Sequence, residues 1–212
     1  MSAMMTKEEE LRLIQRVLAG DKNAYEPLVL EHQTRVYNLA LRILGNETDA
    51  WDAAQEALLR AYTSLADFRG ESRFGVWLYR LTNNICIDML RKQKRRPAVS
   101  LDAMENEDGE SETLEIPDER FSPQEEVEKK ELRAAVSRAM AQLPEEYRQI
   151  LALREVSGLS YEELAEALQL ETGTVKSRLN RARKKLCALL LRDGNFSMPE
   201  SSNKGKGGVK DA

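Results

Sequence analysis

The side chains best placed to do chemistry in this 212-residue chain lie near its C-terminus. Lys176, Ser177, Asn180, Arg181 and Lys184 recur at helical spacing, with Arg178, Arg183 and Lys185 beside them. Val175, Leu179, Ala182 and Leu186 recur at i, i+4, i+7 and i+11, so they define the opposite, buried stripe of the same helix. Between Glu171 and Leu186 there are six basic residues and one acid, so the polar face is cationic. Guanidinium and ammonium groups reach guanine acceptors or phosphates, and a carboxamide pairs with adenine. Such a face therefore suits the major groove of DNA.

A positioning element stands immediately before it. Ser160 is a good N-cap, and Glu163 three residues on completes a capping box. Leu159, Leu164, Ala165 and Leu168 give that first helix its buried side. Gln169-Leu170-Glu171 then forms a three-residue turn, and Thr172 is expected to cap the next helix. Two helices joined this way are a helix-turn-helix, with Thr172, Thr174, Lys176, Ser177, Arg178, Asn180, Arg181, Arg183 and Lys184 as its candidate DNA contacts. A solvated amphipathic helix is the competing account of any single charged face, but it does not require the capped helix and the short turn.

No other chemistry is evident. The single His32 has no ligand partner at metal spacing, and Cys86 and Cys187 lie far apart in apolar helical patterns. No catalytic constellation, metal site or cofactor motif is expected, so the chain reads as a non-enzyme. No apolar run approaches the ~20 residues needed to span a bilayer. Met1 to Glu10 is too polar for a signal peptide, so a cytoplasmic protein without membrane insertion is expected.

The net charge of −4 would argue against nucleic acid if it were uniform. Residues 101–128 carry twelve acids against one base, Arg120, which leaves the remainder at +7. Local charge decides which surface attracts phosphate. Ala, Leu, Glu, Lys and Arg dominate and no period-two apolar run occurs. The fold class is therefore all-α: two small helical domains joined by a flexible acidic linker.

The expected divisions are an N-terminal domain over 1–97, the linker over 98–123, a second domain over 124–192, and a disordered tail over 193–212. In the first domain Leu11, Ile14, Val17 and Leu18 form one stripe. A second helix carries Leu28, Val36, Leu39, Ala40 and Ile43 and ends at Gly45-Asn46. Thr48 or Asp49 would cap a third helix running to about Leu65. A fourth, with Phe74, Trp77, Leu78, Leu81, Ile85 and Met89 inward, would run into the basic stretch from Arg91 and stop at Pro97. In the second domain Leu132, Val136, Met140 and Leu143 are expected on one buried face, with Pro144 opening the next helix.

These residues resemble a known family. Leu143-Pro144-Glu145-Glu146-Tyr147-Arg148, Gly158 to Ala165 and Gly173 to Arg183 look like region 4 of the extracytoplasmic-function (ECF) sigma factors of bacterial RNA polymerase. Asp49-Ala50-Trp51-Asp52-Ala53-Ala54-Gln55-Glu56-Ala57 resembles the region 2 segment that grips core polymerase. Phe68-Arg69-Gly70-Glu71-Ser72-Arg73-Phe74, with Trp77-Leu78-Tyr79-Arg80 and Asn84, resembles the segment that opens and reads the downstream promoter element.

The resemblance implies a factor that binds core polymerase and directs promoter-specific transcription initiation, held in check by an anti-sigma protein. It implies polymerase contacts at Asp49, Asp52, Gln55 and Glu56, and DNA contacts, both duplex and melted strand, at Phe68, Arg69, Gly70, Ser72, Arg73, Arg80 and Asn84. Arg91, Lys92 and Arg95 would hold phosphate without reading sequence. It further implies that the acidic linker threads a basic polymerase channel. The chain departs from the family where Gln169 replaces a common Gly and Trp51 a common acid. Gln169 is accordingly expected in a backbone conformation that favours glycine. Judged without the resemblance, the residues leave open a stand-alone helix-turn-helix transcriptional regulator, or a helical adaptor for an acidic protein.

Overall fold

The computed structural model describes residues 5–95 and 123–192. Among them the regular structure is helical, with no strand. The helices are α1 (Lys7–Leu18), α2 (Glu26–Leu44), α3 (Glu47–Thr63), α4 (Phe74–Arg95), α5 (Pro123–Ala141), α6 (Glu145–Glu155), α7 (Tyr161–Leu168) and α8 (Thr172–Arg192). Short 3₁₀ turns at Lys22–Tyr25 and Leu65–Asp67 join α1 to α2 and follow α3. The acidic linker expected over 98–123 lies outside the described residues except for Pro123, and the expected tail lies outside them entirely.

Helices α2, α3 and α4 pack on one another, and α1 rests against α4 and the two 3₁₀ turns. Leu28, Val36, Leu39, Ala40 and Ile43 of α2 are wholly buried against the alanine stripe Ala50, Ala53, Ala57 and Ala61 of α3 and against Phe74 and Leu78 of α4. The alanines let α3 approach closely, and its larger residues face outward. In the C-terminal half α6, α7 and α8 form a compact trio closed by Ile150, Leu153, Leu164, Val175 and Leu179. Each fully buried aliphatic side chain of this kind contributes about 1.5–3 kcal/mol before ordering costs.

Several expected ends and faces shift. Gly45 is left-handed at φ 83° and ends α2 as expected, but Asn46 rather than Thr48 or Asp49 caps α3. The Asn46 carboxamide oxygen accepts the Asp49 N–H at 2.8 Å, which leaves no longer loop to cap. Glu171 rather than Thr172 stands at the cap position of α8, because its carbonyl accepts from the Val175 N–H; Thr172 is already helical. Leu132 is exposed at 45%, and Ala135 and Ala139 are buried beside the expected Met140 and Leu143. Helix α5 meets α8 and α2, with these small residues turned inward. Leu18 is likewise exposed, since α1 ends there and the chain turns away through Gly20.

The turn between α7 and α8 has the expected length. The Ser160 hydroxyl accepts from the Glu163 N–H, and the Glu163 carboxylate accepts from the Ser160 N–H, a complete capping box. Gln169 ends α7 in the left-handed region at φ 54°, and it is the single non-glycine residue there among those described.

One buried charge ties the N-terminal half together. Glu10 of α1 is 1% exposed. Its carboxylate accepts the Phe74 N–H at 3.2 Å, meets Arg73 Nη2 at 3.3 Å and lies 3.7 Å from His32 Nε2. His32 Nδ1 in turn sits 3.0 Å from the Tyr79 hydroxyl. Burial alone would raise the Glu10 pKa, but His32, the Phe74 amide and Arg73 outweigh it and hold the carboxyl below its ordinary 4.5.

A carboxylate with a depressed folded pKa contributes stability that is present above about pH 4.5 and lost as the pH falls below it. Glu10→Gln should therefore lower unfolding stability by about 1–3 kcal/mol at neutral pH and flatten the acid limb, read by urea denaturation across pH 3–7. Gln169→Gly should raise stability by about 1 kcal/mol by relieving the left-handed strain, read by the same method at neutral pH.

Candidate nucleic-acid interface

Three surfaces carry the residues singled out by the sequence. The first is the outer face of α8. Thr174, Lys176, Ser177, Asn180, Arg181, Arg183 and Lys184 are exposed, while Thr172 and Arg178 are half-buried. Val175, Leu179 and Ala182 fix the rotation of the helix by facing inward. The cations differ in their partners. Arg178 Nη2 lies 3.3 Å from Glu146, and Arg183 Nη2 donates to Glu155 at 2.8 Å, so both lean back on α6. That hydrogen bond pushes the already high Arg183 pKa further up. Lys176 sits over the Tyr161 ring at 5.9 Å. Asn180, Arg181 and Lys184 stand exposed at the middle of the face, and Ser177 spends its hydroxyl proton on the Thr174 carbonyl at 3.0 Å.

The second surface follows the loop before α4 and the outer side of α4. Arg69, Asn84, Arg91, Lys92 and Arg95 are exposed, and Ser72 and Arg80 are half-buried. Arg80, Asn84, Arg91 and Arg95 recur at helical spacing, in one row that also holds Asp88. Phe68 turns inward: its ring meets Phe74 edge-on at 5.9 Å and Trp77 at 5.4 Å. Gly70 is left-handed at φ 70°, and a Cβ there would come 3.1 Å from Leu11, so glycine is needed for packing as well as for any approach to DNA. Arg73 is committed to Glu10 and to the Met5 carbonyl at 2.9 Å. Phe68 and Arg73 thus serve the fold in this arrangement, and the exposed row along α4 is what remains for phosphate.

The third surface is the outer face of α3. Asp52 and Gln55 are exposed and Glu56 pairs with Arg60 at 2.5 Å. Asp49 is half-buried and accepts from Gln93 of α4 at 2.7 Å, so it braces the two helices together. Two further features lie beside it, of which sequence reasoning passed over the groove. Trp51 is 49% exposed and stacks on Tyr37 at 4.8 Å. Leu30 and Leu59, 60% and 59% exposed, rim an open groove of about 610 Å³ lined by Tyr25, Val29, Leu58 and Tyr62. The signal was present, since both leucines fall off the buried stripes of their own helices.

No group of three or more His, Cys, Asp or Glu that could hold a metal occurs among the described residues. His32 is a core residue held by Tyr79 and Glu10, and a Cβ on Gly75 would strike its ring at 2.8 Å. Burial pushes the Cys86 thiol up to about 12, and Cys187 is exposed on α8. No helix among the described residues is long and apolar enough to cross a membrane.

Comparison with known proteins supplies the family. Residues 28–96 match the family described as Sigma-70 region 2, and residues 133–186 match Sigma-70, region 4. The RNA polymerase sigma-H factor of Pseudomonas aeruginosa is 39% identical over 183 residues, spanning 85% of this chain and 93% of the relative. The ECF RNA polymerase sigma-E factor of Escherichia coli K12 is 41% identical over 174 residues, spanning 81% and 88%. Among solved structures, CnrH in complex with the cytosolic domain of CnrY aligns with a TM-score of 0.64 at 25% identity over 87% of this chain and 99% of that one. The sigma factor RpoE in complex with the anti-sigma factor NepR from Bartonella quintana shares the fold at a TM-score of 0.58 and 23% identity, over 80% of this chain and 98% of that one. With both region matches in order on one chain and about 40% identity to curated members over most of its length, the protein belongs to the ECF sigma factors of bacterial RNA polymerase, which are non-catalytic factors of transcription initiation.

Proposed function

We propose that this chain binds core RNA polymerase through the outer face of α3 and delivers it to promoters read by α8 upstream and by the loop before α4 downstream. The observation that carries the reading is the pairing of two unlike nucleic-acid surfaces on one chain. The α8 face is cationic and stands proud of a helix-turn-helix, as duplex reading requires. The α4 row is a track of cations ending beside an aromatic cluster, as a site that grips a melted strand requires. A stand-alone regulator needs the first surface and has no use for the second.

In this reading Arg181 and Asn180 are the base-contacting residues of α8, and Lys184 and Lys176 hold phosphate. Arg178 and Arg183, tied to Glu146 and Glu155, orient the helix on the backbone. Asp52, Gln55 and Glu56 offer polymerase an acidic and amide surface beside the exposed Trp51. Phe68 turns out of its ring cluster when a base is flipped from the stack, an exchange whose cost of a few kcal/mol the new stacking offsets. We take the domains as 1–97 and 124–192, with the acidic linker letting the two halves occupy separate promoter elements. The factor acts in the cytoplasm, where polymerase is. By analogy with CnrH bound to CnrY and RpoE bound to NepR, a dedicated inhibitory protein holds it until a signal releases it.

The decisive experiment is run-off transcription with purified core polymerase on a pool of promoter fragments. Discrete transcripts that depend on this chain are expected, and Asp52→Arg should weaken its binding to core polymerase about tenfold, or ~1.4 kcal/mol. Silence, with no co-elution with core polymerase, would leave the stand-alone regulator. Arg181→Ala in the holoenzyme should cost ~1–3 kcal/mol at a single base position of the upstream element, read by competition among single-base variants. An equal loss on every variant would make Arg181 a phosphate contact.

A further inference from the structure

The loop that promoter reading needs, Phe68 to Phe74, has little of its own to hold it. Among the described residues Arg69, Gly70, Glu71 and Ser72 make no backbone–backbone hydrogen bond. Arg69 and Glu71 are exposed, and Ser72 is half-buried. The loop takes its shape from α1, one face of which is turned to it. Lys7 Nζ donates to the Glu71 carbonyl at 3.2 Å. Glu10 accepts the Phe74 N–H at 3.2 Å and meets Arg73 Nη2 at 3.3 Å. Leu11 abuts Gly70, where a Cβ would come within 3.1 Å of its methyl group. Lys7, Glu10 and Leu11 stand at i, i+3 and i+4, so one rotation of one helix presents all three. Just before them the Met5 carbonyl accepts from Arg73 Nη2 at 2.9 Å.

A helix of 12 residues is marginal by itself, and α1 is anchored twice. Thr6 and Glu9 close a complete capping box at its start, and Ile14 is buried in the core. Support therefore reaches the loop from the core by way of α1. This helix precedes residue 28, where the region 2 match begins, and it carries none of the candidate DNA contacts. A pocket for a flipped base works best with its backbone in place before the base arrives, because a loop that must be ordered on binding subtracts that entropy from affinity.

We propose that α1 is a positioning element for promoter reading: through Lys7, Glu10 and Leu11 it presets the loop from Arg69 to Arg73 for a base flipped from the melted strand, and it touches no DNA itself. The inference rests on the sigma reading of that loop and adds to it a helix that stands outside the matched segment.

The test uses holoenzyme, formed from the full chain and core polymerase, and a forked DNA oligonucleotide from a promoter found by run-off transcription. Each unpaired base is replaced in turn by an abasic sugar. At the flipped position the wild-type factor should bind the intact fork about tenfold tighter than the abasic one, as stacking of one base allows. Lys7→Met should lower that ratio about threefold, the effect of one modest hydrogen bond. Leu11→Ala should lower it too, and Lys7→Arg, which keeps a donor, should restore it. Arg12→Met, which removes a cation from α1 off this face, should leave it unchanged. Lys7 is exposed, so its variants should keep the wild-type urea midpoint, which separates lost positioning from lost folding. An equal loss on intact and abasic forks would make Lys7 a phosphate contact and overturn the positioning role. An unchanged ratio in both Lys7→Met and Leu11→Ala would overturn it as well. A wild-type factor that binds every abasic fork as tightly as the intact one would remove the loop's role in reading, and the positioning with it, while run-off transcripts left standing the delivery of polymerase. Silence in run-off transcription would remove the sigma reading and this role together.

Discussion

Each candidate surface, apart from the loop before α4, is the outer side of a helix whose inner side is locked into a core. Isolated helices as short as the 8-residue α7 are not stable in water, so tertiary packing creates them and sets their rotation. On α8 that constraint is explicit. Val175, Leu179 and Ala182 are fully buried, and because a helix turns 100° per residue their positions decide that Asn180, Arg181 and Lys184 look outward. A core substitution that rotated α8 would move every one of those groups together. The same holds for α3, where an all-alanine inner stripe brings the helix close and leaves Asp52, Gln55 and Trp51 on its far side.

Charge is the second layer, and the chain spends much of it on itself. Glu10, Arg73, Arg148, Arg178 and Arg183 all have intramolecular partners. The first three act on the backbone or beneath the surface and shape the fold. The last two tether the edges of α8 to α6. What remains outward is narrower than the six bases between Glu171 and Leu186 suggest, and it is concentrated on the middle of the helix where a groove would receive it. Composition counts charges, whereas partnership decides which of them a phosphate can compete for.

Periodicity made the helices legible, along with the turn Gln169 to Glu171 and its left-handed residue, because these depend on neighbours within a few positions. What escaped depends on distant ones. Leu132 has the spacing of a buried residue, yet it is exposed and Ala135 and Ala139 lie inward. Asn46 outcompetes Thr48 and Asp49 as a cap because Gly45 reverses the chain one residue earlier, a consequence of φ and not of propensity. Phe68 and Arg73, legible as loop residues, acquire their packing roles from Phe74, Trp77 and Glu10 across the loop. The bond from Arg148 to the Ile43 carbonyl spans 105 residues, and no local pattern announces it.

The N- and C-terminal halves meet along a seam where α2 and α4 contact α5, α6 and α7, and that seam bears on how firmly they are joined. Apolar side chains run from one half into the other as one cluster, so closure has a hydrophobic component as well as the Arg148 fastening. Exposed ion pairs such as Glu145 with Arg91 and Lys94 add only about 0–1 kcal/mol each. An interface with a cavity of about 80 Å³ gives back part of what its apolar contacts supply. The closed arrangement is therefore held by a modest net free energy. A partner that engages both halves in a different geometry needs a differential affinity of only a few kcal/mol to reverse the populations, about 5.5 kcal/mol for a shift from 1:99 to 99:1. Two separate binding surfaces on one partner reach that figure more readily than one.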